Sequence, residues 1–246
     1  DRPFRNDSAC WARMSASSEA PRRLVQKRLV GFAQVLTLPP ALAPSHLLMA
    51  QQLGTVIFAC RRLPTLAGKT VVVIGQGTAG LFHDFWLRRL DAGRIIAIEP
   101  MRARRALAEG MGADETVDVT GDPATEAVLD LTCGEGADVV VDAVGTVETL
   151  NQTLDLAKPN GRIAAFGIPT TRKSVRFQWA KLFDKSLTMY AVHGSQNEPG
   201  LPAFQQALDL IAAGVIDMGP LITHELPLAR IQDAFDLADS RADNAV

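Results

Sequence analysis

The chain has 246 residues, 47% of them apolar and 21% charged, with a net charge of −2. That is ordinary globular composition, with enough chain for one large domain or two small ones. The near-neutral balance gives no bulk electrostatic drive toward nucleic acid or an anionic membrane, and no apolar run is long enough to span a bilayer. Asp1, Arg2, Arg5 and Asp7 crowd the start, where a secretory signal would need an apolar stretch. Cys10, Cys60 and Cys133 lie far apart with no Cys-x-x-Cys pair. This argues against a disulfide framework or a closed structural zinc site, and for free thiols in a reducing cytoplasm. The first residue is Asp1, so either Met14 is a start or the chain is a fragment.

Residues 1–30 are rich in Arg and Ser without apolar period, and read as a poorly ordered tail or a domain remnant. Residues 31–62 form an entry segment whose pattern from Pro44 to Leu63 is helical, with Leu48, Val56, Ala59 and Leu63 on one repeat. Thr70–Ile74 is a short β-branched run, the pattern of a buried parallel strand. A regular alternation follows. Helices are expected at Ala79–Leu90, Arg102–Met111, Ala124–Leu131 and Val147–Ala157. Strands are expected at Arg94–Glu99, Thr116–Val119, Ala137–Asp142, Arg162–Phe166 and Leu187–Val192. Strands alternating with helices predict an α/β, doubly wound parallel sheet over residues 63–195. Residues 196–246 read as C-terminal helices and a return segment. They contain a helix Pro202–Ala213 ended by Gly214, a short strand Leu221–Leu226 and an amphipathic helix Leu228–Ala238.

The sharpest motif is Gly75-Gln76-Gly77-Thr78-Ala79-Gly80, a G-x-G-x-x-G directly after a strand and at the start of a helix. Gly75 permits the tight turn, Gly77 leaves room for a pyrophosphate against the backbone, and Gly80 lets the helix pack on the strand. The helix N-terminus offers N–H groups to phosphate. Glu99 ends the next strand, about two dozen residues on, where a carboxylate accepts from ribose hydroxyls and repels a 2′-phosphate. The loop therefore reads as Rossmann-type, for NAD before NADP. Arg102, Arg104 and Arg105 are the counter-signal, since they could hold a phosphate, and an S-adenosylmethionine site remains the competing ligand class. Gly77→Val is expected to block the pyrophosphate and to strain the loop. A P-loop is excluded by Leu63 where Gly is required, and a short-chain dehydrogenase by the lone Tyr190 with Gly194 where Lys is required.

With these segments in order, the sequence resembles the medium-chain dehydrogenase/reductase family, in particular its zinc-type alcohol, polyol and threonine dehydrogenase branch. The likeness spans roughly residues 31–245. It rests on Met49–Thr55 with Ala59–Arg62, the glycine loop with Glu99, Met111–Asp114, Gly136–Gly145, Pro159–Ile163, Phe166–Pro169, Leu226–Leu228 and Ala234–Phe235. The resemblance implies that Val144, Gly145, Gly167 and Ile168 line the nicotinamide ribose, though strand-end packing would explain the same residues. It also implies that Gln51 stands where relatives place a zinc ligand, with Thr55 facing the nicotinamide in a catalytic role. An amide oxygen is a poorer ligand than a thiolate or carboxylate, and an ordinary polar helix residue is the other reading of Gln51.

The family's GroES-like catalytic domain precedes the cofactor domain and carries a Cys, a Gly-His-Glu motif and a proton relay. No Gly-His-Glu occurs here, and His83, His193 and His224 are scattered. The resemblance thus implies an N-terminally truncated dehydrogenase with only remnants of that domain. The intact relative would bind zinc, take an alcohol or carbonyl substrate and form homo-oligomers. The chain as given is expected to hold no catalytic zinc and to be inactive alone. Two alternatives stay open: a stand-alone dinucleotide-binding module or pseudoenzyme, and a zinc-independent quinone or enoyl reductase.

Overall fold

The computed structural model describes Leu36, Leu38 and residues 42–240. The tail expected over residues 1–30 lies outside them. Two helices, α1 (Pro44–Leu48) and α2 (Ala50–Cys60), lead into the alternation. The core then runs β1 (Thr70–Ile74), α3 (Thr78–Arg89), β2 (Arg94–Ile98), α4 (Arg102–Met111), β3 (Glu115–Val117), α5 (Gly121–Leu131), β4 (Ala137–Asp142), α6 (Val147–Leu156), β5 (Ala157–Ala165), α7 (Trp179–Asp184) and β6 (Thr188–Ala191). After it come α8 (Pro202–Ala212) and α9 (Ile231–Ser240), with 3₁₀ turns at Gly219–Leu221 and Leu228–Arg230.

The six strands form one sheet in the order β3-β2-β1-β4-β5-β6, every pair parallel. This is the expected doubly wound α/β fold. The order reverses between β1 and β4, and in such sheets the crevice beyond the strand C-termini at that point is where ligands bind. The apolar run of β1 is continuous because both faces are covered. Val71 and Val73 look to one core with Ile95, Ala97, Val139 and Val141, under α2, α3 and α8. Val72 and Ile74 look to the other with Ile96, Ile98, Val140 and Ile163, under α5 and α6. Alternate side chains of a strand must point to opposite faces, so one run supplies two cores.

Four expectations need correction. The helix expected as one piece from Pro44 is broken at Met49, and it ends at Cys60. The segment Leu221–Leu226 is a 3₁₀ turn followed by irregular chain, not a strand. A strand exists only by pairing, and among the described residues no neighbour offers it a ladder. β5 starts five residues earlier than the apolar pattern shows, because Ala157 pairs with Ala137 before the register shifts. Helix α7 was not expected, since six residues carry too little period to read.

The joint between α6 and β5 is held by one side chain. Lys185 Nζ donates to the carbonyls of Leu154 (2.9 Å), Asp155 (3.0 Å) and Ala157 (2.8 Å), which the helix end leaves without partners. Replacing it by an apolar isostere strands those acceptors. Lys185→Met is expected to lower stability by about 2 kcal/mol, read as a drop in urea midpoint at unchanged m-value.

Candidate cofactor site

The glycine loop leaves β1 with Gly75 at φ +86°, in the left-handed region, while its N–H still donates to Ile98 O at 2.9 Å. The turn thus begins before the β1–β2 ladder ends. A Cβ on Gly80 would stand 1.9 Å from Gly75 O, so α3 meets the strand end as closely as backbone allows. Gly77 differs from both. Its backbone is extended (φ −72°, ψ −177°), open to any residue, and the nearest heavy atom to a Cβ there is Arg104 Nη1 at 3.9 Å. The strain expected on replacing Gly77 is therefore absent, and only empty space favours glycine there. Gly77 is also the N-cap of α3, and no side chain caps the helix, so the N–H groups of Thr78 and Ala79 open toward that space.

Glu99 follows β2 and is only 5% exposed. Its Oε2 accepts from Gln76 N–H at 2.8 Å and its Oε1 from Met101 N–H at 3.0 Å. Each carboxylate oxygen keeps a further lone pair open to another donor. Glu99 therefore ties the end of β2 to the glycine loop, a structural duty the sequence did not reveal. The three arginines separate. Arg102 is exposed. Arg105 is spent on the carbonyls of Glu99 and Pro100, at 3.0 and 2.7 Å, and near Asp118. Arg104 is the one that reaches the loop.

Beyond the switch, Asp142 ends β4 almost fully buried, and its Oδ1 accepts from Val144 and Gly145 N–H, each at 3.0 Å. Burial raises its carboxyl above the usual range, opposed by these two amides and by Thr149. Asp142 O accepts from Phe166 and Gly167 N–H at 3.0 and 2.7 Å. A Cβ on Gly167 would fall 2.2 Å from Gly145 N, so the loops after β4 and β5 touch backbone to backbone. Ile168 stands 79% exposed beside them. Val144, Gly145, Gly167 and Ile168 are thus brought to the same sheet end as the glycine loop, with Asp142 as the residue that shapes their turn. A polar residue ending an otherwise apolar strand was the available signal.

His83 and Asp84 are fully buried in α3. His83 Nδ1 lies 2.8 Å from Ala79 O, and its ring meets Phe166 edge-on at 4.6 Å. Burial pulls it down to about 4, with the Ala79 hydrogen bond opposing. Gln51 and Thr55 pair with each other on α2. Gln51 Nε2 donates to Thr55 Oγ1 at 3.3 Å, and Thr55 Oγ1 donates to Gln51 O at 3.0 Å. Gln51 is exposed and Thr55 buried. Among the described residues no group of three or more His, Cys, Asp or Glu side chains could hold a metal ion. Catalytic zinc needs three converging protein ligands, so the donor set around Gln51 does not fit it.

The sequence profile of zinc-binding dehydrogenases matches residues 80–213. The chain belongs to this family. An L-threonine 3-dehydrogenase from Bacillus velezensis is 30% identical over 199 residues, covering 81% of this chain and 56% of the relative. The crystal structure of an alcohol dehydrogenase from Thermotoga maritima superposes with a TM-score of 0.73 at 29% identity, over 85% of this chain and 57% of that one. A zinc-binding dehydrogenase structure from Sinorhizobium meliloti, bound to NADP, gives 0.65 at 27% identity over 74% and 52%. The chain thus spans little more than half the length of the dehydrogenases it matches. No helix among the described residues is long and apolar enough to cross a membrane.

Two outcomes follow from the glycine loop and helix α3. Gly80→Ala should cost about 3 kcal/mol through the clash with Gly75 O, whereas Gly77→Val should stay within about 1 kcal/mol, both read by urea denaturation. Buried neutral His83 sets an acid sensitivity. Its folded value lies below its unfolded value near 6.5, so the unfolded state takes up the proton first and stability falls as pH drops from about 6.5 to 4. The loss is about 3 kcal/mol. His83→Leu should flatten the stability profile across that window.

Proposed function

We propose that the chain is the dinucleotide-binding part of an oxidoreductase that moves hydride between an alcohol or carbonyl substrate and NAD(H). The observation that carries this reading is the buried Glu99 carboxylate beside a glycine loop whose Gly77 faces open space at the uncapped start of α3. In this reading the pyrophosphate lies against Gly77, held by the N–H groups of Thr78 and Ala79, with the Arg104 guanidinium alongside. The spare lone pairs of Glu99 accept the adenosine ribose hydroxyls. Val144, Gly145, Gly167 and Ile168 place the nicotinamide ribose at the other half of the crevice. When bound, the nicotinamide supplies the hydride acceptor or donor, and the protein supplies orientation.

NAD is favoured over NADP because a 2′-phosphate would meet the Glu99 carboxylate in a site that admits little water. The S. meliloti relative holds NADP, and Arg104 is the cation that would serve that cofactor here. In the same reading Thr55 faces the nicotinamide, substrate and any zinc are held with residues beyond those described, and the protein is a homo-oligomer. For the last, the support is the edge strand β6 and the exposed Trp179 and Phe183 of α7, which leads into it. A cytoplasmic protein without nucleic-acid or membrane partners completes the reading.

The test is titration of the purified chain with NADH and NADPH, followed by fluorescence. NADH should bind at least about tenfold more tightly, equivalent to 1.4 kcal/mol. Glu99→Gln should narrow that gap, because the charge is removed while one acceptor oxygen is kept for the loop. Gly77→Val should lose NADH binding with its stability retained. Equal or tighter NADPH binding overturns the cofactor assignment, and undiminished NADH binding by Gly77→Val overturns the loop assignment.

A further inference from the structure

The side chain of Gln76, the first variable position of the glycine loop, is fully buried, and so is Asp84 two turns into α3. Both carboxyl oxygens of Asp84 and the amide oxygen of Gln76 lack a hydrogen-bond partner. A Cβ on Gly80 would lie 3.2 Å from Gln76 Oε1, so the amide is tucked under the first turn of α3, and it neighbours the Asp84 carboxyl. Gln76 Nε2 reaches Val73 O at 3.5 Å. Three acceptor atoms without a donor are a costly set to bury.

Among the described residues each cation near Asp84 is already engaged elsewhere or exposed. Arg88, one turn along α3, spends its guanidinium on Gly112 O, Ala92 O and the Asp114 carboxylate. His83 is directed at Ala79 O and Phe166. Of the elements packed on α3, β1 carries no titratable group, and α2 only Cys60, whose buried thiol is pushed up to about 12. On β2, Arg94 pairs with Glu115. On α4, Arg105 is bound to backbone carbonyls, Arg102 and Glu109 are exposed, and Arg104 reaches the glycine loop at Gly77.

We infer that Asp84 is carried as a neutral carboxylic acid, joined to the Gln76 carboxamide in a cyclic two-bond pair, and that this pair positions the pyrophosphate loop. The acid O–H donates to Gln76 Oε1, and Gln76 Nε2 donates to the other carboxyl oxygen. All three orphaned atoms are thereby used and no charge is buried. Burial raises the Asp84 carboxyl well above its ordinary value, against the opposing pull of the Gln76 side chain and the Arg88 charge, which agrees with the neutral form. Gln76 is then held at both ends, by Glu99 at its backbone N–H and by Asp84 at its side chain. The positioning role rests on the cofactor reading above, whereas the acid–amide pair does not.

The experiment uses the full chain. Infrared difference spectra between wild type and Asp84→Asn at neutral pH should contain a carboxylic-acid carbonyl band, which belongs to the unliganded protein and requires no cofactor. Asparagine offers an N–H where the acid has O–H, so Asp84→Asn should keep NADH affinity within about threefold, while Gln76→Leu and Asp84→Leu lose roughly tenfold. The proton held in the folded state stabilises fully at low pH, and that contribution is lost as pH rises toward the folded value. The melting temperature of Asp84→Asn relative to wild type should therefore climb from about pH 4 upward, and His83 cancels in the difference. A missing acid band, or a flat difference in melting temperature, overturns the pair. Full NADH affinity in Gln76→Leu overturns its positioning role. If the leucine variants do not fold, the band and the Asp84→Asn profile still decide. Wild type that shows the band but binds no NADH removes the cofactor reading and leaves the pair standing.

Discussion

Helix α3 comes down on the end of β1 until a single added carbon at Gly80 would lie 1.9 Å from the Gly75 carbonyl oxygen. That closeness governs the crevice. It sets the uncapped first turn of the helix beside the space that Gly77 leaves open. It also leaves the Gln76 side chain nowhere to go except inward, under the helix. The loops after β4 and β5 repeat the device, with Gly145 and Gly167 in backbone contact. The floor of the crevice is consequently main chain, whose position is fixed by packing rather than by rotamer choice.

Two carboxylates bracket β1 at this end of the sheet. Asp142 closes β4 and Glu99 follows β2, and each accepts two backbone N–H groups. Their uses differ. Asp142 spends one oxygen on its own turn, which fixes the start of the segment leading into α6. Glu99 spends one oxygen across the strand boundary, so the glycine loop and the end of β2 move together. The carboxylate that the proposed reading assigns to the ribose also holds the glycine loop in shape, so substitution there perturbs the loop as well.

Most of the sheet was legible because its strands are short apolar runs between helices with clear period. Thr70–Ile74, Arg102–Met111 and Ala137–Asp142 stand where the pattern placed them. The two misses among the strands share a cause, which is that pairing is not local. Ala157 joins β5 only because Ala137 is opposite it, and Leu221–Leu226 is no strand because nothing pairs with it among the described residues. At the candidate site the tight turn at Gly75, the close approach at Gly80 and the place of Glu99 after β2 were readable, since each follows from rules tied to position. The inward turn of Gln76, the burial of Asp84 and the separate fates of Arg102, Arg104 and Arg105 were not. They depend on which face of α3 or α4 meets the sheet, and a single polar letter does not carry that.

The strand order has a consequence for how the chain is assembled. Val71 pairs with Ile95 on one side and Val139 on the other, and the second partner lies nearly three times farther along the chain. During synthesis β1, β2 and β3 can associate while β4 is still unmade. The Val-Val-Val-Ile face of β1 then presents an open row of amides and carbonyls, with no charge to discourage a foreign strand. With β1–β3 in place only residues 118–136 remain to be gathered, so the interval before β4 docks is the one in which the open edge of β1 carries its aggregation risk.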